Sequence, residues 1–307
     1  MAKTPSKTSA PARKPAGGRP SGLFTWIAVG IVLIVVVVLV VVKATSSSPS
    51  QQSAGGFTPV DSTTLSELTQ IPSSVFDTVG VTSSVVPVSA PQAISGQQLL
   101  KTTVNGKSLP EIYYLGAEYC PYCAAQRWST IIALSRFGTF SNLGLMSSSA
   151  TDQYANTPTF TFTKASYSSK YIDFQSTEEY NNVYNAAIQY YTKLQSPTAA
   201  QAALEKKYDN SNFIKGITAQ QDGSIPFITF GDQYLTSGAS YSPAAFTGLT
   251  RAQIAAALSD PTNPVTQAII ASANYQTAVM CSLTQQQPSN VCTSKGVKAA
   301  DKVLKIS

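Results

Sequence analysis

The sequence predicts an α/β domain held outside a membrane by one N-terminal helix. Residues 23–42, LFTWIAVGIVLIVVVVLVVV, carry no charge. Ile112–Leu115 is an apolar, β-favouring run that leads into Cys120-Pro121-Tyr122-Cys123. Beyond that motif the pattern changes period, and Trp128, Ile131, Ile132 and Leu134 recur at helical spacing.

At about 1.5 Å per residue the uncharged run just crosses a hydrocarbon core of about 30 Å. A cleaved signal peptide is the rival reading, with Val42-Lys43-Ala44 as its cleavage site. The apolar core of such a peptide is only about 7–15 residues long, which favours an uncleaved span over residues 23–43. Lys3, Lys7, Arg13, Lys14 and Arg19 precede the span without an acid. Only Lys43 follows it closely, so the tail 1–22 is expected in the cytoplasm and the remainder outside the cell membrane. Those five charges also leave the outer part at +1 out of a total of +6, which is no footprint for nucleic acid. Residues 44–56 read as a Ser/Gln/Gly linker and 57–307 as one extracytoplasmic domain.

Taken in order, Thr64–Phe76 predicts a short helix stopped by Pro72, and Val79–Val88 a strand ending at Pro87. The turn dipeptide Asn105-Gly106 returns the chain into the strand at Ile112. Leu143–Ser147 predicts a second inner strand, and Phe160–Thr163 and Tyr171–Phe174 predict edge strands or a hairpin. Residues 178–208 predict a helical insertion broken at Pro197. Ser224–Phe230 predicts a strand whose Ile225-Pro226 bond suits a cis peptide, with a hairpin at Gly231-Asp232. Thr250 caps a helix over Arg251–Leu258, and a last helix covers Pro264–Cys281.

A strand that ends in CxxC and opens a helix suits dithiol chemistry. Pro121 fits the first turn, and Cys120 meets the unpaired N–H groups that favour a thiolate. Cys123, one turn on, is placed to resolve a mixed disulfide at Cys120. A static disulfide and half a zinc knuckle are the alternatives. The chain has no histidine, and its other cysteines, Cys281 and Cys292, are spaced too widely for a zinc-ribbon half. These two are expected to form a structural disulfide, with a second redox pair as the minority reading. The missing histidine also excludes a serine-hydrolase triad. No cofactor or metal is expected.

Gly116-Ala117-Glu118-Tyr119-Cys120-Pro121-Tyr122-Cys123 together with Ile225-Pro226 resembles the thioredoxin superfamily. With the N-terminal span, the late cysteine pair and the run Ala133–Leu143, the chain also resembles the membrane-anchored domain-of-unknown-function family 929. The first resemblance implies a thioredoxin-like fold with a helical insertion. It implies Cys120 as nucleophile, Cys123 as resolving thiol, Ile225 and Pro226 as the peptide-contacting wall, and Glu118 and Tyr122 tuning the approach. Cysteine-containing proteins are the implied substrates, and an integral-membrane redox protein the implied partner. Two departures stand out. Thioredoxins carry a buried acid six positions before the first cysteine, where this chain has Tyr114, and the Pro-Tyr dipeptide is that of glutaredoxins rather than strong oxidases. A non-catalytic thioredoxin-like scaffold with locked disulfides is the alternative function.

Overall fold

The computed structural model describes residues 56–83 and 85–306. The expected tail, membrane span and nearly all of the linker lie outside them. Among the described residues no helix is long and apolar enough to cross a membrane.

The chain begins with β1 (Thr58–Pro59), α1 (Ser62–Thr69), α2 (Ser73–Val79), β2 (Gln92–Ala93), β3 (Lys101–Val104) and β4 (Lys107–Gly116). Next come α3 (Pro121–Ser135), β5 (Gly138–Ser141), β6 (Gly144–Ser147), β7 (Pro158–Thr161), β8 (Ser166–Ser169) and β9 (Asp173–Glu178). Then follow β10 (Tyr180–Asn185), β11 (Tyr190–Lys193), α4 (Ala199–Tyr208), β12 (Phe227–Phe230) and β13 (Tyr234–Ser237). Four helices close the chain: α5 (Arg251–Ala257), α6 (Pro264–Leu283), α7 (Ser289–Cys292) and α8 (Lys295–Leu304).

The result is a mixed α/β fold organised on β4. Its central sheet runs β2-β13-β12-β4-β3, and β9 pairs in parallel with the C-terminal half of β4. Strand β4 is antiparallel to β12, with Tyr113 opposite Thr229. A parallel neighbour requires a crossover, and α3 lies on that connection. The sheet's alternation divides the core. Ile112, Tyr114, Ile228 and Phe230 enter the larger cluster with α3 and α6, whereas Tyr113, Leu115, Phe227 and Leu235 meet Tyr208 and Ile214 on the opposite face. Trp128 anchors the larger cluster, with its ring 4.7 Å from that of Phe160 and its Nε1–H donating to the Pro158 carbonyl at 2.9 Å. Asn105 and Gly106 both take positive φ at the β3–β4 turn, as their dipeptide predicts.

Several expectations are corrected. Pro72 separates two helices, α1 and α2, instead of ending one. Val79–Val88 is not a strand: Val79 closes α2, Gly80 turns the chain at φ +58°, and the valines beyond find no partner strand. The strand at Gly144–Ser147 lies in a separate three-stranded sheet between β1 and β7, not beside β4. The largest correction concerns residues 178–208. Glu178 ends β9, Tyr180–Lys193 forms a hairpin, and only Ala199–Tyr208 is helical. Tyrosines, Val183 and Thr192 suit a pleated strand, and pairing across the Asn185–Tyr190 turn outweighs the helical spacing. Pro197 does separate two elements, but the first of them is a hairpin.

Candidate active site

Strand β4 delivers the chain to the Ala117–Tyr119 loop, and α3 starts immediately after Cys120. Cys120 is the N-cap of that helix, and its sulfur does the capping. Sγ accepts the Cys123 N–H at 3.3 Å, while Pro121 occupies the first turn. Pairing of Phe227 with Leu115 brings the residues just before β12 opposite the loop just after β4. The cis Ile225–Pro226 unit therefore borders the dithiol, and the Cys120 thiol donates to the Ile225 carbonyl at 3.7 Å. Both cysteines are free thiols.

Their environments push them apart. A hydrogen bond from the Cys123 thiol lowers the Cys120 pKa against the cost of its burial, with help from the Cys123 N–H and the Arg127 charge. Cys123 goes well above the ordinary thiol range, because burial and its bond to Cys120 both favour the protonated form. Such a split is the one that a nucleophile with a reserve thiol requires. Cys120 keeps only 5% of its surface exposed, so the sulfur is more covered than an open catalytic thiol would be.

Cys120, Cys123, Ile225 and Pro226 thus come together as expected, and Tyr122 stands beside them, 41% exposed, with its ring edge-on to Tyr154. Glu118 does not face the approach. It is buried, its carboxylate accepts from the Thr161 and Thr163 hydroxyls at 2.6 and 2.9 Å, and its N–H donates to the Tyr180 carbonyl. Its role is to fasten the loop. Cys281 and Cys292 are bonded to each other, S–S 1.98 Å, at the far end of α6, which leaves neither a thiolate to lend a metal. Among the described residues no group of three or more His, Cys, Asp or Glu side chains is gathered for a metal ion.

Two features escape sequence reasoning. The first is a fully buried ion pair: Arg127 gives Nε and Nη2 to Glu178 at 2.8 and 2.5 Å, and Nη2 also reaches the Ala117 carbonyl at 2.8 Å. Burial alone would lower the guanidinium, but Glu178 holds it well above its usual range. The spacing of Cys123 and Arg127, one helical turn apart, was the available signal. Glu178 comes from another strand, and no local pattern announces it. The second is a tyrosine platform. Tyr119 stacks on Tyr191, centroids 4.2 Å apart, and its hydroxyl meets that of Tyr190 at 3.1 Å. Tyr184, Ile188, Tyr190 and Leu194 on or beside this hairpin are exposed.

Residues 93–282, more than half the chain, match the family described as Domain of unknown function (DUF929). The chain belongs to that family. The matched stretch contains the CPYC motif, the Ile225–Pro226 unit and the Arg127–Glu178 pair, and ends one residue after Cys281. No curated protein and no solved structure gives a match.

Proposed function

We propose that this chain is a membrane-anchored, extracytoplasmic thiol–disulfide oxidoreductase with a thioredoxin-like domain. The observation that carries the reading is the Cys120 sulfur itself, which caps α3 and lies 3.7 Å from the Ile225 carbonyl. At a helix N-terminus the free N–H groups stabilise negative charge, so the sulfur that leaves and re-forms a disulfide there is a good nucleophile and a good leaving group. Cys120 attacks a disulfide in a substrate protein, Cys123 resolves the mixed disulfide, and a membrane redox protein resets the pair. The reverse sequence serves an oxidase. Tyr122 and the Ile225–Pro226 edge contact the substrate chain, which presents backbone to the Ile225 peptide.

The tight cover over Cys120 and the exposed tyrosine hairpin favour a second reading, a non-catalytic thioredoxin-like binding protein with both cysteine pairs as locked disulfides. The equilibrium reduction potential of the Cys120–Cys123 pair in the full chain decides between them, with Cys281 and Cys292 followed separately by mass spectrometry. A reversible potential between about −120 and −270 mV is expected, the span of known exchange catalysts. A value below about −300 mV, as in structural disulfides, would overturn the catalytic reading.

A further inference from the structure

We infer that Arg127, clamped by Glu178 and joined by the Tyr114 hydroxyl, forms a polar well beneath Cys123 that stabilises negative charge on its sulfur when it resolves a mixed disulfide. The inference rests on the oxidoreductase reading and names the groups that replace a strand-borne acid.

Three observations carry it. Cys123 and Arg127 lie four residues apart on α3, hence on one face, and both are completely buried. Glu178 and the Ala117 carbonyl take up Nε and Nη2, whereas Nη1 of Arg127 has no hydrogen-bond partner among the described residues. The same holds for Tyr114 Oη. That hydroxyl occupies the space a side chain at Gly116 would fill, so the tyrosine points along β4 toward the dithiol loop, and the guanidinium lies 5.8 Å from its ring. Buried polar atoms are rarely left without partners. Two hydrogen-bond donors without partners among the described residues, one of them on the cation that acts on Cys123 from the next turn of α3, complement a sulfur that must become an anion.

The titratable and charged groups acting on one or both sulfurs are Arg127 from α3, Tyr114 from β4, Tyr119 from the loop and Tyr122 from the first turn of α3, while Glu178 from β9 acts on Arg127 and Glu118 acts on Glu178. Of these, Arg127 lowers both thiols. In the resolving step Cys123 gives its proton to solvent water, Arg127 and Tyr114 acting only as donors to the thiolate, and its sulfur lone pair forms the Cys120–Cys123 bond. The bond from Cys120 to the substrate sulfur breaks, and that sulfur leaves with the electron pair and takes up a proton. The dithiol is oxidised and the substrate disulfide reduced. Arg127 and Tyr114 act through Cys123 and are positioning residues.

The test uses the reduced full chain and a dithiobis-nitrobenzoate disulfide, whose released thiolate is coloured. Attack by Cys120 releases one equivalent, and resolution by Cys123 releases the second. The double variant Arg127→Met/Glu178→Gln removes the charge pair without stranding the acid. It should slow the second phase about tenfold and raise its pH midpoint by about one unit, since one unit of pKa is a tenfold change in thiolate fraction. Tyr114→Phe, which deletes one oxygen and keeps the ring, should slow the same phase about threefold with a smaller upward shift. A second-phase midpoint unmoved in Tyr114→Phe and in any folded double variant would overturn the inference, as would equal slowing of both phases with unmoved midpoints. If the double variant does not fold, Tyr114→Phe decides alone. A structural-type potential would sink the oxidoreductase reading yet leave this pH profile readable, so the two fail separately.

Discussion

The two cysteine pairs are buried to similar depth, yet they sit at opposite ends of helices. Cys120 caps the N-terminus of α3, whereas Cys281 lies in the last turn of α6. At an N-terminus free N–H groups face the sulfur, and at a C-terminus free carbonyls do, so the first end favours a thiolate and the second opposes one. The Arg127 cation adds to the difference at the first pair. The second pair is instead a staple: its bond ties α6 to α7, and α8 then packs back on α6 and α2. Burial alone does not separate the two pairs; the helix end and the nearest charge do.

The sharpest way to break this comparison is to remove each pair in turn. Cys120→Ser should abolish turnover of a protein disulfide, a loss of at least about a thousandfold if the sulfur is the attacking nucleophile. It should leave the melting temperature nearly unchanged. Cys281→Ser/Cys292→Ser should do the reverse, keeping turnover while lowering stability by about 2–3 kcal/mol, the value expected for a loop of this size. Turnover and thermal melts on the same samples check both, and a Cys281/Cys292 variant that loses turnover while remaining folded would erase the distinction. Trp128→Ala probes the support under the Cys120–Cys123 pair. Its ring is buried against Phe160 and Phe246, so a cost of about 3–5 kcal/mol in urea unfolding is expected.

The comparison was legible in the sequence where the signal was local. CxxC after an apolar run, Asn105-Gly106, Ile225-Pro226 and Thr250 each place their element, because turn, cap and proline chemistry act within a few residues. Thr250 caps α5 through a reciprocal bond pair with Gln253. The hairpin at Tyr180–Lys193 escapes local reading because Tyr180 and Tyr184, four residues apart, satisfy both periods, and only pairing across the turn decides. Glu118 escapes for a related reason: adjacency to the motif says nothing of which way a loop side chain turns, and Thr161 at the end of β7 and Thr163 just beyond it claim its carboxylate. The Arg127–Glu178 pair needs the β4–β9 register before its two halves meet.

A pH series tests whether the wall beside the dithiol rests on a titratable support. Asp209 follows α4, its carbonyl accepts from Gly223 N–H, and Ser237 donates to its Oδ1 at 2.5 Å, while Oδ2 is buried without a partner among the described residues. Ser237 pairs with Phe227, the residue after Pro226, so the carboxyl underlies that wall. Burial raises the Asp209 pKa from 3.8 to about 7, with Ser237 opposing and Glu205 and Asp222 adding to the rise. A carboxyl raised on folding binds its proton more tightly in the native state. Its contribution to stability is therefore complete below about pH 4 and is lost as pH rises through about 7. The melting temperature should fall across that window, and Asp209→Asn, neutral throughout and still able to accept from Ser237, should flatten the fall. A slope unchanged in Asp209→Asn would assign the pH dependence elsewhere and leave the wall without a titratable support.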